Sequence, residues 1–290
     1  MRSRIRTAAT SVLRAWSDRA GFDLVWRDVY SPIPDVGALP ADTWVRPRSL
    51  PGIDWRPHAQ RELLSSLSPE LSHFDVPPPY AQRNYSYDGA DAQVLFAMIR
   101  SQRPNKIIEI GAGYSTLVIS AAVRSLAAEG HEVVFRSVDP FPPSMLSPLP
   151  EGLDALAAVR AQSLPMSDFT ALEPGDVLFL DTTHVVKVGG EVNWLFLEIL
   201  PQLKPGVLIH VHDIFLPFEY PREWLENRGY YWAEQYLLQA LLSGSDTFEV
   251  LLALHWLSRS CPPHDLPWTL PAGSRPSAFW MRRRAEPPDS

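Results

Sequence analysis

Apolar positions along this chain recur with two periods, and the switches between those periods lay out its elements. Val94, Leu95, Met98 and Ile99 share one face of a helix that Asp88 or Asp91 can cap and that runs to Arg100. Lys106-Ile-Ile-Glu-Ile110 is a short β-branched run, read as a buried strand, and Gly111-Ala-Gly113 follows at once. A helix is expected from about Ser115 to Ala128. A second strand is expected over His131–Asp139, a weaker third around Ala157–Ala161 and a fourth over Asp176–Asp181. Val192, Leu195, Phe196, Ile199, Leu200 and Leu203 repeat at helical spacing. Val207–Val211 is a fifth strand ending at His212-Asp213, and a helix follows over Tyr231–Leu242. Phe248–Leu254 and Ala278–Arg283 are two late strands.

Strands alternating with helices define an α/β fold with a doubly wound, mostly parallel sheet, seven-stranded here. No helix is evident between the last two strands, so they are expected to form an antiparallel C-terminal hairpin at one edge. Residues 1–80 read as an irregular N-terminal extension, punctuated by prolines and closed by Pro77-Pro78-Pro79, with a helix expected at 58–67. It carries Trp16, Trp26, Trp44 and Trp55, rings that need something to pack on, so it is expected to wrap the domain of residues 81–290.

Composition narrows the function. Hydrophobic residues make up 46% of the 290, enough for a full core, and the net charge of −7 offers no general basic surface to nucleic acid. Arg2, Arg4, Arg6, Arg14 and Arg19 are a local exception, read as a solvated terminus. The one cysteine, Cys261, excludes an internal disulfide and a multi-cysteine zinc site. No apolar stretch reaches the roughly 18–20 residues of a membrane span, and the start lacks the apolar core of a secretory signal, so a cytoplasmic location is expected.

Glu109-Ile-Gly111-Ala-Gly113-Tyr-Ser115-Thr lies where strand gives way to helix. Glycines there let backbone come close to a ligand, and the helix start at Ser115 offers free N–H groups. Asp139, at the end of the next strand, is placed to accept hydrogen bonds from ribose hydroxyls. Dinucleotides favour a third glycine, but position 116 is Thr, and Glu109 would repel a pyrophosphate. S-adenosylmethionine carries an amino group and a sulfonium, both drawn to a carboxylate.

On these residues the chain resembles the Rossmann-like, class I S-adenosylmethionine-dependent methyltransferases over residues 87–284. The matching pieces are 107–116, Val-Asp-Pro at 138–140, Asp-Val-Leu-Phe-Leu-Asp-Thr-Thr-His at 176–184 and Leu-Lys-Pro-Gly-Val-Leu-Ile-His-Val-His-Asp at 203–213. Among them it is most similar to methyltransferase family 24, and it is similar also to metal-dependent O-methyltransferases of natural products and sugars. The resemblance implies that Glu109, Gly111 and Gly113 line the methionine end of the cofactor, that Asp139 holds its ribose and that Gln162 lies near the adenine. Tyr87 and Asp88 would close over it.

A hydroxyl acceptor must lose a proton, which needs a base or a metal. Asp181 and Asp213 end adjacent strands, whose carboxyl ends lie ~5 Å apart. Two such carboxylates call for a cation or proton between them. Asp181, His184 and Asp213 are therefore the catalytic candidates. Asp181, His212 and Asp213 are the candidate ligands of Mg²⁺ or another divalent cation, His212 standing where relatives carry an acid. The aromatic stretches Phe215–Pro221 and Tyr230–Trp232 are candidates for the acceptor's surroundings. The expected function is methyl transfer to a hydroxyl of a small molecule or carbohydrate, with no nucleic-acid partner and with a homo-oligomer left open. The alternatives are a non-catalytic cofactor-binding subunit and a dinucleotide or nucleotide-sugar oxidoreductase.

Overall fold

A computed structural model describes residues 17, 19–21, 28–80, 84, 86–87, 89–262, 266 and 275–285. Trp16, Trp26, Asp88 and the arginines before residue 17 lie outside them.

Seven strands form one sheet: β1 (Lys106–Ile110), β2 (Val134–Val138), β3 (Ala155–Ala157), β4 (Val177–Leu180), β5 (Leu208–Val211), β6 (Phe248–Ala253) and β7 (Phe279–Arg283). Their order is β3-β2-β1-β4-β5-β7-β6. The pairs among β1 to β5 are parallel; β7 runs antiparallel to both β5 and β6. The expected fold class and edge hairpin are both present. The central strands are buried on both faces, which is why they read as continuous apolar runs. Alternation still divides them: Ile107, Val177, Phe179 and Leu208 join the core on one face, while Ile108, Ile110, Leu178, Leu180, Ile209 and Val211 join the other.

Helix α1 (Pro57–Ser66) lies within the extension. It is followed in chain order by α2 (Gly89–Gln102), α3 (Tyr114–Ala128), α4 (Glu191–Trp194), α5 (Arg222–Arg228), α6 (Glu234–Leu242) and α7 (Leu254–Ser260), besides one-turn pieces. The helix expected over residues 192–203 is a mixture, α4 running into a π turn at Leu195–Ile199 and a 3₁₀ turn at Leu200–Gln202. Pro201 has no N–H with which to continue the regular ladder.

Three expected boundaries shift. β2 starts at Val134, level with Lys106, because a strand extends only as far as its neighbour can pair. β3 ends at Ala157, level with Val138, and Ala161–Ser163 is a 3₁₀ turn instead of strand. β6 and β7 are neighbours, but helix α7 stands between them; with Leu254 and Leu257 as its buried apolar anchors, it is too short to show a period.

The extension is tied down from Arg48 onward. The Arg48 N–H donates to Pro217 O at 2.8 Å and the Gly244 N–H to Gly52 O at 2.8 Å. Arg56 Nη1 pairs with Glu249 Oε2 at 2.8 Å. Buried Gln60 bridges, its amide donating to Trp55 O at 2.5 Å and its Oε1 accepting from Ala253 N at 2.8 Å. Leu64 and Leu67 enter the same core cluster as α2. Trp55 packs edge-on to Trp256, ring centroids 5.9 Å apart. The segment thus lies along β6, covering one of the sheet's two edges.

Leu64→Ala and Leu67→Ala should each cost about 2–4 kcal/mol in chemical denaturation, because both side chains are buried in the shared core. Val45→Ala, at a position 62% exposed, should change stability by less than about 0.5 kcal/mol.

Candidate active site

The carboxyl ends of β1, β2 and β4 open on a cavity of about 430 Å³ lined by Gly111, Asp139, Phe141, Gln162, Asp181, Thr183 and Lys187, among others. The sequence places Gly111, Asp139 and Gln162 together, and the structure does the same, with Asp181 beside them. Asp139 is fixed by two backbone donors: Ala112 N to Oδ2 at 2.9 Å and Phe141 N to Oδ1 at 2.7 Å. Gln162 donates to Gly189 O at 3.2 Å across the mouth.

Glu109, Gly113 and Ser115 do not line this cavity. Glu109 is fully buried and accepts from three hydroxyls, Ser115 at 2.8 Å, Thr116 at 2.7 Å and Ser137 at 2.6 Å. Thr116, where a dinucleotide motif has its third glycine, joins the turn to this carboxylate. Its Oγ1 accepts from the Gly113 N–H at 2.9 Å and donates to Glu109. Burial pushes the Glu109 carboxyl up to about 7 despite those three hydroxyls. The two glycines also differ. Gly111 has φ +94°, and a Cβ there would sit 1.6 Å from the Asp181 carbonyl oxygen. Its smallness is demanded by the protein's own backbone. A Cβ at Gly113 would meet nothing within 4 Å.

The second part of the site lies at the ends of β4 and β5. Ligand atoms of Asp181, His212 and Asp213 lie within 4.8 Å of one another. His212 Nδ1 is 3.5 Å from Asp181 Oδ2 and 3.7 Å from Asp213 Oδ1. His184 joins them, its Nε2 lying 3.3 Å from Asp181 Oδ1 and 3.6 Å from Asp213 Oδ2. His184 (φ +59°) and Asp213 (φ +56°) both occupy the left-handed region. His210, two residues before His212, is buried away from the cluster, stacked on Phe179 and 3.2 Å from the Tyr87 hydroxyl.

Charge in this cluster is strongly coupled. Burial alone would raise Asp181, but the charges and hydrogen bonds of His212 and His184 hold it well below the usual carboxylate range. Burial raises Asp213 against the pull of the same two imidazoles. Burial would lower His184, yet its hydrogen bonds to Asp181 and Glu234 carry it up to about 10. The carboxylates thus hold protons on both imidazoles, and a divalent cation is the alternative compensator.

Two residues of the site gave no sequence signal. Glu234, 50 positions from His184, puts Oε2 2.7 Å from His184 Nδ1. Asp91, expected only as a helix cap, accepts from Ser277 N and Ala278 N and places Oδ2 3.6 Å from His212 Nε2. Of the aromatic stretches, Phe215 and Phe218 are buried, whereas Tyr220, Tyr230, Tyr231 and Trp232 line a second cavity of about 430 Å³, which Pro32, Pro34 and Trp44 also line.

This sheet order, with an acid closing β2 and paired acids closing β4 and β5, is a Rossmann-like methyltransferase fold. Residues 108–214 match the family described as a methyltransferase domain, family 24, a span that includes Glu109, Asp139, Gln162, Asp181, His184, His212 and Asp213. The resemblance to methyltransferase family 24 is borne out by that match over residues 108–214. The chain is 28% identical over 130 residues to an uncharacterized protein of Archaeoglobus fulgidus, covering 40% of this chain and 58% of that one. The chain thus spans under two thirds of that relative's length. Similar solved structures include an O-methyltransferase from Bacillus cereus in complex with SAH (13% identity, 77% of this chain and 91% of that chain, TM-score 0.41). A putative methyltransferase from Thermobifida fusca overlaps comparably (13%, 82% and 97%, TM-score 0.41). These TM-scores mark loose overlap.

Gly111→Ala should fail to fold or lose more than about 3 kcal/mol, whereas Gly113→Ala should retain near-native stability in the same urea titration. Because the folded Glu109 carboxyl titrates near 7 and the unfolded one near 4.5, the folded state binds the extra proton between those values. This group's contribution to stability therefore falls as pH rises from about 4.5 to 7, and Glu109→Gln should flatten that part of the stability profile.

Proposed function

We propose that this protein transfers the methyl group of S-adenosylmethionine to a hydroxyl of a small molecule or glycan, with Asp181, His184 and Asp213 assisting removal of the hydroxyl proton. The observation that carries this reading is the placement of His184 Nε2 against both carboxylates, one of which, Asp181, also walls the cavity that holds Asp139 and Gln162. In such a site the ribose would meet Asp139, the adenine end would lie near Gln162, and the sulfonium would face Asp181. Transfer breaks the methyl carbon–sulfur bond, whose electron pair stays on sulfur, and forms a carbon–oxygen bond. Much of the rate comes from holding the three atoms in line.

The donor set of Asp181, His212 and Asp213 fits a divalent cation, since oxygen and imidazole ligands converge from the ends of two strands. Such an ion would supply a Lewis acid that lowers the acceptor hydroxyl's pKa. The mixed nitrogen and oxygen donors favour Mn²⁺ or a later transition metal over Mg²⁺. With the charge of Asp181 and Asp213 shared with such an ion, His184 would no longer have to carry a proton and could accept the one leaving the hydroxyl.

For the acceptor we propose the second cavity, which Trp44 of the extension lines together with Tyr231, Tyr236 and Glu219. Aromatic rings beside a carboxylate that Arg48 and the Tyr236 hydroxyl hold in place suit a sugar or a phenol. Among the described residues no helix is long and apolar enough to cross a membrane.

S-adenosylhomocysteine should bind the purified protein in calorimetry, and Asp139→Ala should weaken it by about tenfold or more, the worth of one charge-assisted hydrogen bond. Mn²⁺ should bind as well, and Asp213→Ala should abolish that. Binding of NADH in place of S-adenosylhomocysteine would move the assignment to an oxidoreductase.

A further inference from the structure

His184 sits in a loop, with a left-handed backbone, yet both its ring and its backbone are held. Everything that holds it from the far side comes from three consecutive residues at the start of α6. The Trp232 ring lies against the imidazole, centroids 4.2 Å apart. The Ala233 and Glu234 N–H groups both donate to the His184 carbonyl oxygen, at 3.0 and 3.3 Å. Glu234 Oε2 meets His184 Nδ1 at 2.7 Å. With Nδ1 tied there, the opposite ring nitrogen has one direction left, toward Asp181 and Asp213.

Glu234 is an expensive residue for mere packing. It is buried, and its second oxygen, Oε1, has no hydrogen-bond partner. A buried carboxylate so placed is costly to take out of water. Its position in the first turn of α6 recovers only part of that through the helix dipole. A glutamine would fill the same space without the charge.

We propose that Glu234 is a positioning residue for methyl transfer: it anchors His184 through Nδ1 so that Nε2 stays presented to the Asp181–Asp213 pair. The role in transfer rests on the function proposed above, while the anchoring itself does not. A carboxylate that binds one nitrogen of a histidine fixes the orientation and basicity of the other.

The test is nitrogen-15 NMR of the full chain, with the His184 ring identified as the resonance missing in His184→Gln. The 2.7 Å contact should give a downfield, slowly exchanging Nδ1–H proton. Glu234→Gln, whose amide oxygen can still accept, should keep that proton, and its Tm should be unchanged or higher because a buried charge is gone. Glu234→Ala should lose the proton while still melting cooperatively. Survival of the resonance in Glu234→Ala would overturn the proposal. So would its loss in both variants together with a Tm drop of several degrees in both, which is the signature of a structural residue. S-adenosylhomocysteine titrated into the same wild-type sample separates the two claims. If it fails to bind, the methyl-transfer reading falls, and the resonance still decides whether Glu234 anchors the ring.

Discussion

The site depends on one close approach, that of the backbone after β1 to the backbone after β4. The Asp181 N–H donates to Ile110 O at 2.9 Å, and the Asp181 carbonyl lies so near Gly111 that no side chain fits there. This contact brings the glycine turn, which shapes the cofactor cavity, into register with the acid that opens the catalytic cluster. The parallel ladder carries the same registration outward, with Val138 level with Ile110 on one side and Val211 level with Leu180 on the other. Asp139, Asp181 and His212 then follow their strands at a common height, since each is the first residue past its strand.

Much of this is legible in the chain. Short apolar runs, each followed by Gly, Asp or His-Asp, give the central strands. The residues that follow them are the site candidates. What escapes reading has a physical reason in each case. Glu234 and Asp91 act through contacts 50 and 121 positions along the chain from His184 and His212, and a lone acid near a helix start looks like any favourable dipole partner. The end of the third strand is dictated by pairing with β2, which no local pattern encodes. Charge attraction places Glu109 at the ligand, whereas three hydroxyls, two of them only six and seven residues away, engage it inside the fold. Ser115 and Thr116 look like ordinary helix-start residues, and Ser137 sits on a neighbouring strand, so nothing in the sequence advertises the three together.

The cluster at β4 and β5 gathers Asp181, Asp213, Glu234 and Asp91 around His184 and His212, four acids against two bases. Were all four carboxyls ionised, the group would keep an excess of negative charge even with both imidazoles protonated, and burial together with that crowding raises Asp213 and Glu234. A fold tolerates such a concentration only where its neighbours fix each group, as Glu234 does for His184 and Ser277 does for Asp213. The same excess makes the cluster receptive to cations and inhospitable to an anionic acceptor group lacking one.

The wrap of the extension along β6 sets a timetable for synthesis. Arg56 and Glu249 lie 193 positions apart, and Gln60 and Ala253 likewise. At roughly 5–20 residues per second, the partners of α1 emerge about 10–40 s after it does. During that interval Arg56 and Gln60 have no β6 to meet, and the Trp55 ring has neither Trp256 nor Phe279 to pack on. The first-made segment of the described fold is therefore among the last to find its place, and the late-made strands and α7 are what settle it.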